Sequence, residues 1–191
     1  MRSDDVLRFF KECGALLEGH FVLSSGLHSS QYMQCALLLQ HPAVASKLCL
    51  ALAERFVNDD ITCVVAPAMG GIIVGYETAR HLRVRSIFGE RQDGKFTLRR
   101  GFALGPADRC LLVEDVVTTG GSVEELAEVV KNAGAAVVGY GAIVDRSNGW
   151  AVFDTKFHAL LSMEIKTFEE AQCPMCKEGI PITKPGSRGL K

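Results

Sequence analysis

Glu114 and Asp115 stand side by side at the end of a short apolar run, Leu111-Leu112-Val113. Two valines, Val116 and Val117, follow, and then Thr118-Thr119-Gly120-Gly121-Ser122. This reads as a buried parallel strand whose carboxyl end opens into a turn and a helix N-terminus, the place where open α/β sheets carry ligands. Hydroxyls, glycine-exposed peptide N–H groups and the positive end of a helix dipole converge there on an anion. The carboxylates just upstream repel a phosphate, so they need another partner: sugar hydroxyls or a divalent cation. A phosphate cradle and a carboxylate pair in one loop specify a phosphorylated sugar. A simple helix cap needs one hydroxyl, not this series. Neither G-x-x-x-x-G-K-[ST] nor G-x-G-x-x-G occurs.

Other groups could complete such a site. Ala66-Pro67-Ala68-Met69-Gly70-Gly71 lies between an apolar run and a helical pattern. It is either a plain strand-to-helix turn or a second loop whose N–H groups face the sheet centre. Arg91, Lys95, Arg99 and Arg100 put four cations around a Gly94 pivot. They form either a solvated hairpin with a basic edge or a lid that stabilises negative charge on a leaving group and excludes water. Arg146 follows Val144-Asp145 at the end of another apolar run. Its guanidinium fork suits a planar carboxylate, unless it pairs with Asp145. His28 sits in a run of hydroxyls and glycine at residues 21–32, as an ordinary loop histidine or a substrate contact.

The elements that must position these groups follow from periodicity. Helical spacing predicts helices over residues 4–17, 42–57, 71–81 and 123–133, with Pro42 suited to a first turn. Short apolar runs predict strands near 20–23, 30–35, 61–66, 84–89, 110–114, 136–144 and 157–163. Residues 90–105 are polar and glycine-punctuated, a loop or hairpin. The tail after Gln172, rich in proline and glycine, reads as irregular. Alternating strands and helices give an α/β fold, a mainly parallel central sheet flanked by helices. The expected organisation is one domain over residues 1–191: a small N-terminal hood to about residue 40, a core to about 165, then the tail.

Composition narrows the function. The 191-residue chain is 48% hydrophobic, enough to bury one substantial core. A net charge of −1 offers no basic field for nucleic acid. No apolar run approaches the ~20 residues of a membrane span. The N-terminal residues mix charge with helical apolar spacing, unlike a signal peptide. Seven scattered cysteines argue for a reducing, cytoplasmic compartment.

The segment Glu114-Asp115-Val116-Val117-Thr118-Thr119-Gly120-Gly121-Ser122 resembles the PRPP-binding motif of the type I phosphoribosyltransferases. The hood segment fits the pattern F-x-L-x-S-G-x-x-S-x-x-Y through Phe21, Leu23, Ser25, Gly26, Ser29 and Tyr32. Together with the loop cations and Val144-Asp145-Arg146, it is similar to the orotate phosphoribosyltransferases. The matches run from about Phe21 to Arg146 in the family's order, and the closing residues from Cys173 resemble the tail of a bacterial and archaeal subgroup. The resemblance implies the type I phosphoribosyltransferase fold and transfer of phosphoribose from PRPP to orotate, with Mg²⁺, in pyrimidine nucleotide synthesis. It implies PRPP contacts from Arg91, Lys95, Glu114, Asp115, Val116, Val117, Thr118, Thr119, Gly120, Gly121, Ser122, Gly70 and Gly71. Lys95 and Asp115 would be catalytic. Orotate would meet Thr118 and Arg146, with His28 a further candidate. Mg²⁺ would be held mainly by PRPP, with Glu114 and Asp115 as direct or water-mediated contacts. The resemblance also implies a homodimer whose lid completes the neighbouring site. Met69-Gly70-Gly71 replaces the aromatic-Lys-Gly of many members, and Thr97 stands where a histidine is usual. A purine transferase or a non-catalytic nucleotide sensor of the same fold are the alternatives.

Cys173-Pro174-Met175-Cys176 is half of a zinc knuckle. No second C-x-x-C exists and the five histidines are dispersed in sequence, so inert or structural thiols are expected first. An intersubunit metal or disulfide comes second, and catalysis last. Cys13, Cys35, Cys49, Cys63 and Cys110 are expected to fill apolar positions.

Overall fold

The computed structural model describes residues 1–23 and 25–184. Helix α1 (Ser3–Glu12) buries Val6 and Phe10. It ends short of residue 17 because Gly14 takes a φ of +62°, a left-handed conformation that costs glycine nothing. Leu16 then starts a strand instead. Strands β1 (Leu16–Val22) and β2 (His28–Met33) form an antiparallel pair, the hood. Helix α2 (Cys35–Leu39) is too short to show a period and was not expected. It leads into α3 (Pro42–Ala53), where Pro42 occupies the first turn, and a 3₁₀ turn at Glu54–Phe56.

The core follows as β3 (Cys63–Pro67), α4 (Gly71–Leu82), β4 (Arg85–Gln92), β5 (Lys95–Leu98), β6 (Arg109–Val117), α5 (Gly121–Asn132), β7 (Ala136–Asp145) and β8 (Phe157–Ser162). Its sheet runs β5-β4-β3-β6-β7-β8, parallel except for the β4–β5 hairpin. Both faces are covered, so the strands read as continuous apolar runs. Val64, Ala66, Leu111, Val113 and Ile143 pack with residues of α1 to α4. Cys63, Val65, Cys110, Leu112 and Ala142 pack with Val123, Leu126 and Val130 of α5. Cys35, Cys49, Cys63 and Cys110 are buried in these two cores, and Cys13 packs against the first. Among the described residues no helix is long and apolar enough to cross a membrane.

The strand order reverses at β3. The chain passes from β3 to β4 on one side and later returns to β6 on the other. The carboxyl ends of β3 and β6 therefore flank a switch-point crevice. Helix α4 lies unusually close to β3 there, because Gly75 leaves no side chain between them. A Cβ at Gly75 would meet the Ala66 Cβ at 2.8 Å, and alanine has no flexible end to yield. Gly75→Ala should lower stability by about 1–3 kcal/mol through overpacking, read as an earlier midpoint in urea unfolding. An unchanged midpoint would mean that the helix slides without cost.

The tail is more ordered than its composition suggested. Strand β9 (Thr167–Phe168) adds to β2, followed by a 3₁₀ turn (Glu170–Gln172) and α6 (Pro174–Lys177). Cys173 and Met175 are buried, and Thr183 returns to β1, its N–H donating to His20 O at 2.7 Å. Tertiary burial of these side chains overrides the proline- and glycine-rich local signal. Residues 185–191 of the expected irregular tail, and Ser24 in the hood, lie outside the described residues.

Candidate functional site

Strand β6 runs past residue 114 to Val117, further than expected, because Val116 and Val117 extend the ladder against Val144 and Asp145 of β7. Val117 is buried and its carbonyl accepts the Arg146 N–H at 2.8 Å, so its side chain faces the core rather than a ligand. The exposed turn begins at Thr118 and Thr119. Gly120, with φ of +83°, closes it and caps α5, whose first bonds run from the Val123 and Glu124 N–H groups to Gly120 O, both 3.0 Å. A Cβ on Gly120 would lie 3.3 Å from both Ala151 Cβ and Phe153 Cζ. Only glycine satisfies both this φ and this contact. The turn thus delivers hydroxyls and N–H groups to the positive end of α5.

The second loop meets the first at the switch point. Gly70, between β3 and α4, lies so near Asp115 that a Cβ there would stand 2.9 Å from both carboxylate oxygens. Two loops separated by more than forty residues in sequence therefore share one spot. Asp115 and Glu114 are half-buried. Burial raises the Asp115 carboxyl above its ordinary value, opposed by backbone N–H groups at Val116 and at Asp115 itself. Met69 is 84% exposed, so it contributes no cover over this loop.

Arg146 ends β7. Asp145 does not pair with it: its Oδ1 accepts the Ser147 N–H at 2.8 Å, closing a turn. The Arg146 Nε is buried and has no hydrogen-bond partner, and burial pulls its guanidinium below the usual range. Tyr32, from β2, and Cys35, from α2, lie within electrostatic range of both Arg146 and Asp115. Burial raises the Tyr32 phenol; Arg146 opposes that shift and Asp115 adds to it. The hood thus brings Tyr32 over the carboxyl ends of β6 and β7. The hood pattern ending at Tyr32 signalled this tyrosine, but its proximity to Arg146 needed the fold.

Residues 90–105 include a regular hairpin: β4 and β5 pair from Gly89↔Leu98 to Gln92↔Lys95. Asp93 and Gly94 turn it with φ of +50° and +82°. Arg91 does not reach freely for a ligand. It pairs with Glu125 of α5 at 2.8 Å, covers the Phe96 ring at 4.2 Å and donates to Gly94 O. Glu125 also accepts the Phe96 N–H at 2.9 Å. Arg100 makes two 2.8 Å bonds to Glu90. Among the described residues neither Lys95 nor Arg99 has an ion pair, and both are exposed.

His28 departs from the expected acceptor contact. Its ring is 3% exposed and lies 2.7 Å from His20 Nε2 and 3.3 Å from Cys176 Sγ. Its ring is packed against His20 and the C-terminal segment. His20 went unnoticed in the sequence because its partners lie on a distant segment.

One family model, the phosphoribosyl transferase domain, matches residues 36–177. An orotate phosphoribosyltransferase of Desulforamulus reducens is 52% identical over 190 residues, covering 100% of each chain. One from Pelotomaculum thermopropionicum is 53% identical over 190 residues, again covering 100% of each. Among solved structures, an orotate phosphoribosyltransferase from Aeropyrum pernix aligns with a TM-score of 0.71 at 26% identity, covering 83% of this chain and 93% of that one.

Proposed function

The chain belongs to the phosphoribosyltransferase family as an orotate phosphoribosyltransferase, and from that premise we propose how its residues carry the reaction. Orotate N1 loses its proton to solvent or the leaving group and bonds to C1′ of PRPP, pyrophosphate departs with the C1′–O electron pair, and orotidine 5′-monophosphate forms. The bond change needs positioning and charge stabilisation rather than covalent help from the protein. Glu114 and Asp115 accept the ribose hydroxyls. The Thr118–Ser122 turn takes the 5′-phosphate at the α5 N-terminus. Gly70 and Gly71 bring N–H groups to the pyrophosphate, and the missing side chain of Gly70 leaves room for the Asp115 carboxylate beside them. Val116 and Val117 contribute through the backbone, since Val117 is buried.

The observation that carries the orotate assignment is the buried, unpartnered Nε of Arg146. A guanidinium nitrogen without a partner costs free energy that a bound carboxylate repays. A purine offers no carboxylate to do so. Thr118, beside Arg146 in space through the Val117 contact, completes the acceptor side. Incubating the protein with PRPP, Mg²⁺ and each of orotate, uracil, adenine, guanine and xanthine tests the reading. Orotate alone should be consumed; use of a purine instead, or PRPP binding without turnover, would overturn it.

Mg²⁺ fits the carboxylate end of the site as a substrate-held ion. Glu114 and Asp115 are adjacent, and Asp115 is desolvated, but two carboxylates do not make an all-protein cage. Most of an octahedral shell would come from PRPP oxygens and water, with Glu114 and Asp115 touching it directly or through water. The ion would neutralise the departing pyrophosphate. Lys95 adds a mobile cation, with Arg91 held as a strut of the hairpin by Glu125. We place this hairpin over the neighbouring site of a homodimer, with the whole chain acting as one transferase domain. Seven unpaired cysteines support a cytoplasmic setting.

Arg146→Lys keeps the charge and loses the fork. It should lower kcat/KM for orotate about 10- to 100-fold, the worth of one charged hydrogen bond, with PRPP affinity nearly unchanged. Equal losses for both substrates would make Arg146 a structural residue.

A further inference from the structure

We propose that His20, His28, Cys173 and Cys176 bind one zinc ion that fastens the C-terminal segment to the hood. The half knuckle at Cys173 and Cys176 lacked partners in sequence; the fold supplies them from β1 and β2. All four ligand atoms lie within 4.8 Å of one another. His20, His28 and Cys173 are buried, and Cys176 is half-buried. The cluster lies within one chain, so it needs no second subunit.

Hydrogen bonding alone accounts poorly for this arrangement. His20 Nδ1 faces the Ile180 carbonyl at 2.7 Å, and a carbonyl only accepts, so Nδ1 carries the proton. In the neutral ring Nε2 is then a lone pair able to take one hydrogen. Yet His28 Nδ1 stands 2.7 Å from it, Cys173 Sγ 3.6 Å and Cys176 Sγ 3.7 Å. Three groups converging on one lone pair describe a coordination centre. The Nδ1–H to Ile180 bond is the outer partner that metal-bound histidines use to fix their tautomer. Bonds of about 2.0–2.1 Å to nitrogen and about 2.3 Å to sulfur give tetrahedral N···S edges of about 3.5 Å. The observed N···S separations of 3.3, 3.6 and 3.7 Å match them. The two nitrogens would separate to about 3.3 Å once both ligate.

The backbone prepares the site. The β1–β2 register shifts between Glu18 and Phe21, so His20 and Phe21 are buried in succession where strict alternation would expose one. Cys173 caps α6 and Cys176 lies within its single turn. The donor set is soft, two thiolates and two imidazoles, which selects zinc over magnesium and separates this centre from the substrate-held ion. Four protein ligands leave no open position, so the role is structural. Tyr32 lies four residues beyond His28 on the same strand, so the ion stiffens the strand that covers Arg146.

The test uses full-length protein from zinc-supplemented cells. Elemental analysis should find about one zinc per chain. Cys13→Ser should retain it, whereas Cys173→Ser/Cys176→Ser and His20→Asn should lose it. Two measurements on wild type stand even where a variant fails to fold. A mercurial should release the zinc as two thiols react, and cobalt loading should give the intense visible bands of a tetrahedral site with a thiolate-to-cobalt charge-transfer band. Metal-free wild type that takes up neither ion, a Cys173–Cys176 disulfide in its place, or zinc held equally by the double variant would overturn the proposal.

Discussion

Gly70→Val should reduce kcat/KM about 100-fold or more, the scale on which small misplacements at a reacting centre are felt. Backbone strain is not the reason. Gly70 has φ −57° and ψ −41°, which any residue adopts, and the position is exposed. The reason is space: even a Cβ there stands 2.9 Å from both oxygens of Asp115, and valine adds two methyls in the same crevice. Gly70→Ala should fall between the two, and both variants should unfold near the wild-type midpoint. A matching loss of stability would move the effect from the site to the fold. Asp115→Asn gives the complementary result, weaker turnover and greater stability. Burial raises the Asp115 carboxyl, so folding favours its protonated form. That penalty is absent below the unfolded value of about 3.9, develops as pH rises through the raised folded value, and is full at neutral pH. The asparagine variant should therefore melt later than wild type at pH 7, and the difference should shrink toward acid. A variant less stable at pH 7 would show that Asp115 holds structure rather than substrate.

The sequence was most legible where local chemistry and fold agree. Val64, Leu111 and Ile143 announce a buried sheet, and Thr118 to Ser122 announce the turn between the end of β6 and helix α5. Both signals are local, so a short window carries them. Contacts between distant segments were not legible. Nothing near Gly70 says that its missing side chain accommodates Asp115, and nothing near Asp145 says that it closes a turn on Ser147 instead of pairing with Arg146. His28 misled for the same reason: its neighbours in sequence are hydroxyls, whereas its neighbours in space are His20 and Cys176. The tail misled because proline and glycine report local irregularity, while burial of Cys173 and Met175 is decided by the hood they meet. Arg91 shows the limit of charge counting, since its cation is spent on Glu125 and Phe96.

Mixing two impaired variants, Lys95→Ala and Asp115→Asn, should raise activity to about a quarter of wild type if the hairpin serves the partner's site. The sheet order motivates the arrangement. Lys95 lies on β5 and Asp115 on β6, with β4 and β3 between them. Three strand spacings of about 4.8 Å put about 14 Å across the sheet between them, more than one lysine side chain spans. Glu125 of α5 holds Arg91 to its own chain, which keeps the hairpin from folding inward. Lys95 is left exposed at the start of the edge strand. In a mixed dimer one site takes Asp115 from one chain and Lys95 from the other, while the second site carries both defects. Random exchange at equal amounts makes about half the dimers mixed, and half their sites work, hence the quarter. Exchange is verified separately with differently tagged chains. Exchange without recovery would place Lys95 in its own subunit's site, reached by a rotation of the hairpin that breaks the Arg91–Glu125 pair. Glu125→Gln should then raise turnover by freeing that motion, whereas under the shared-site arrangement it loosens the lid and lowers it.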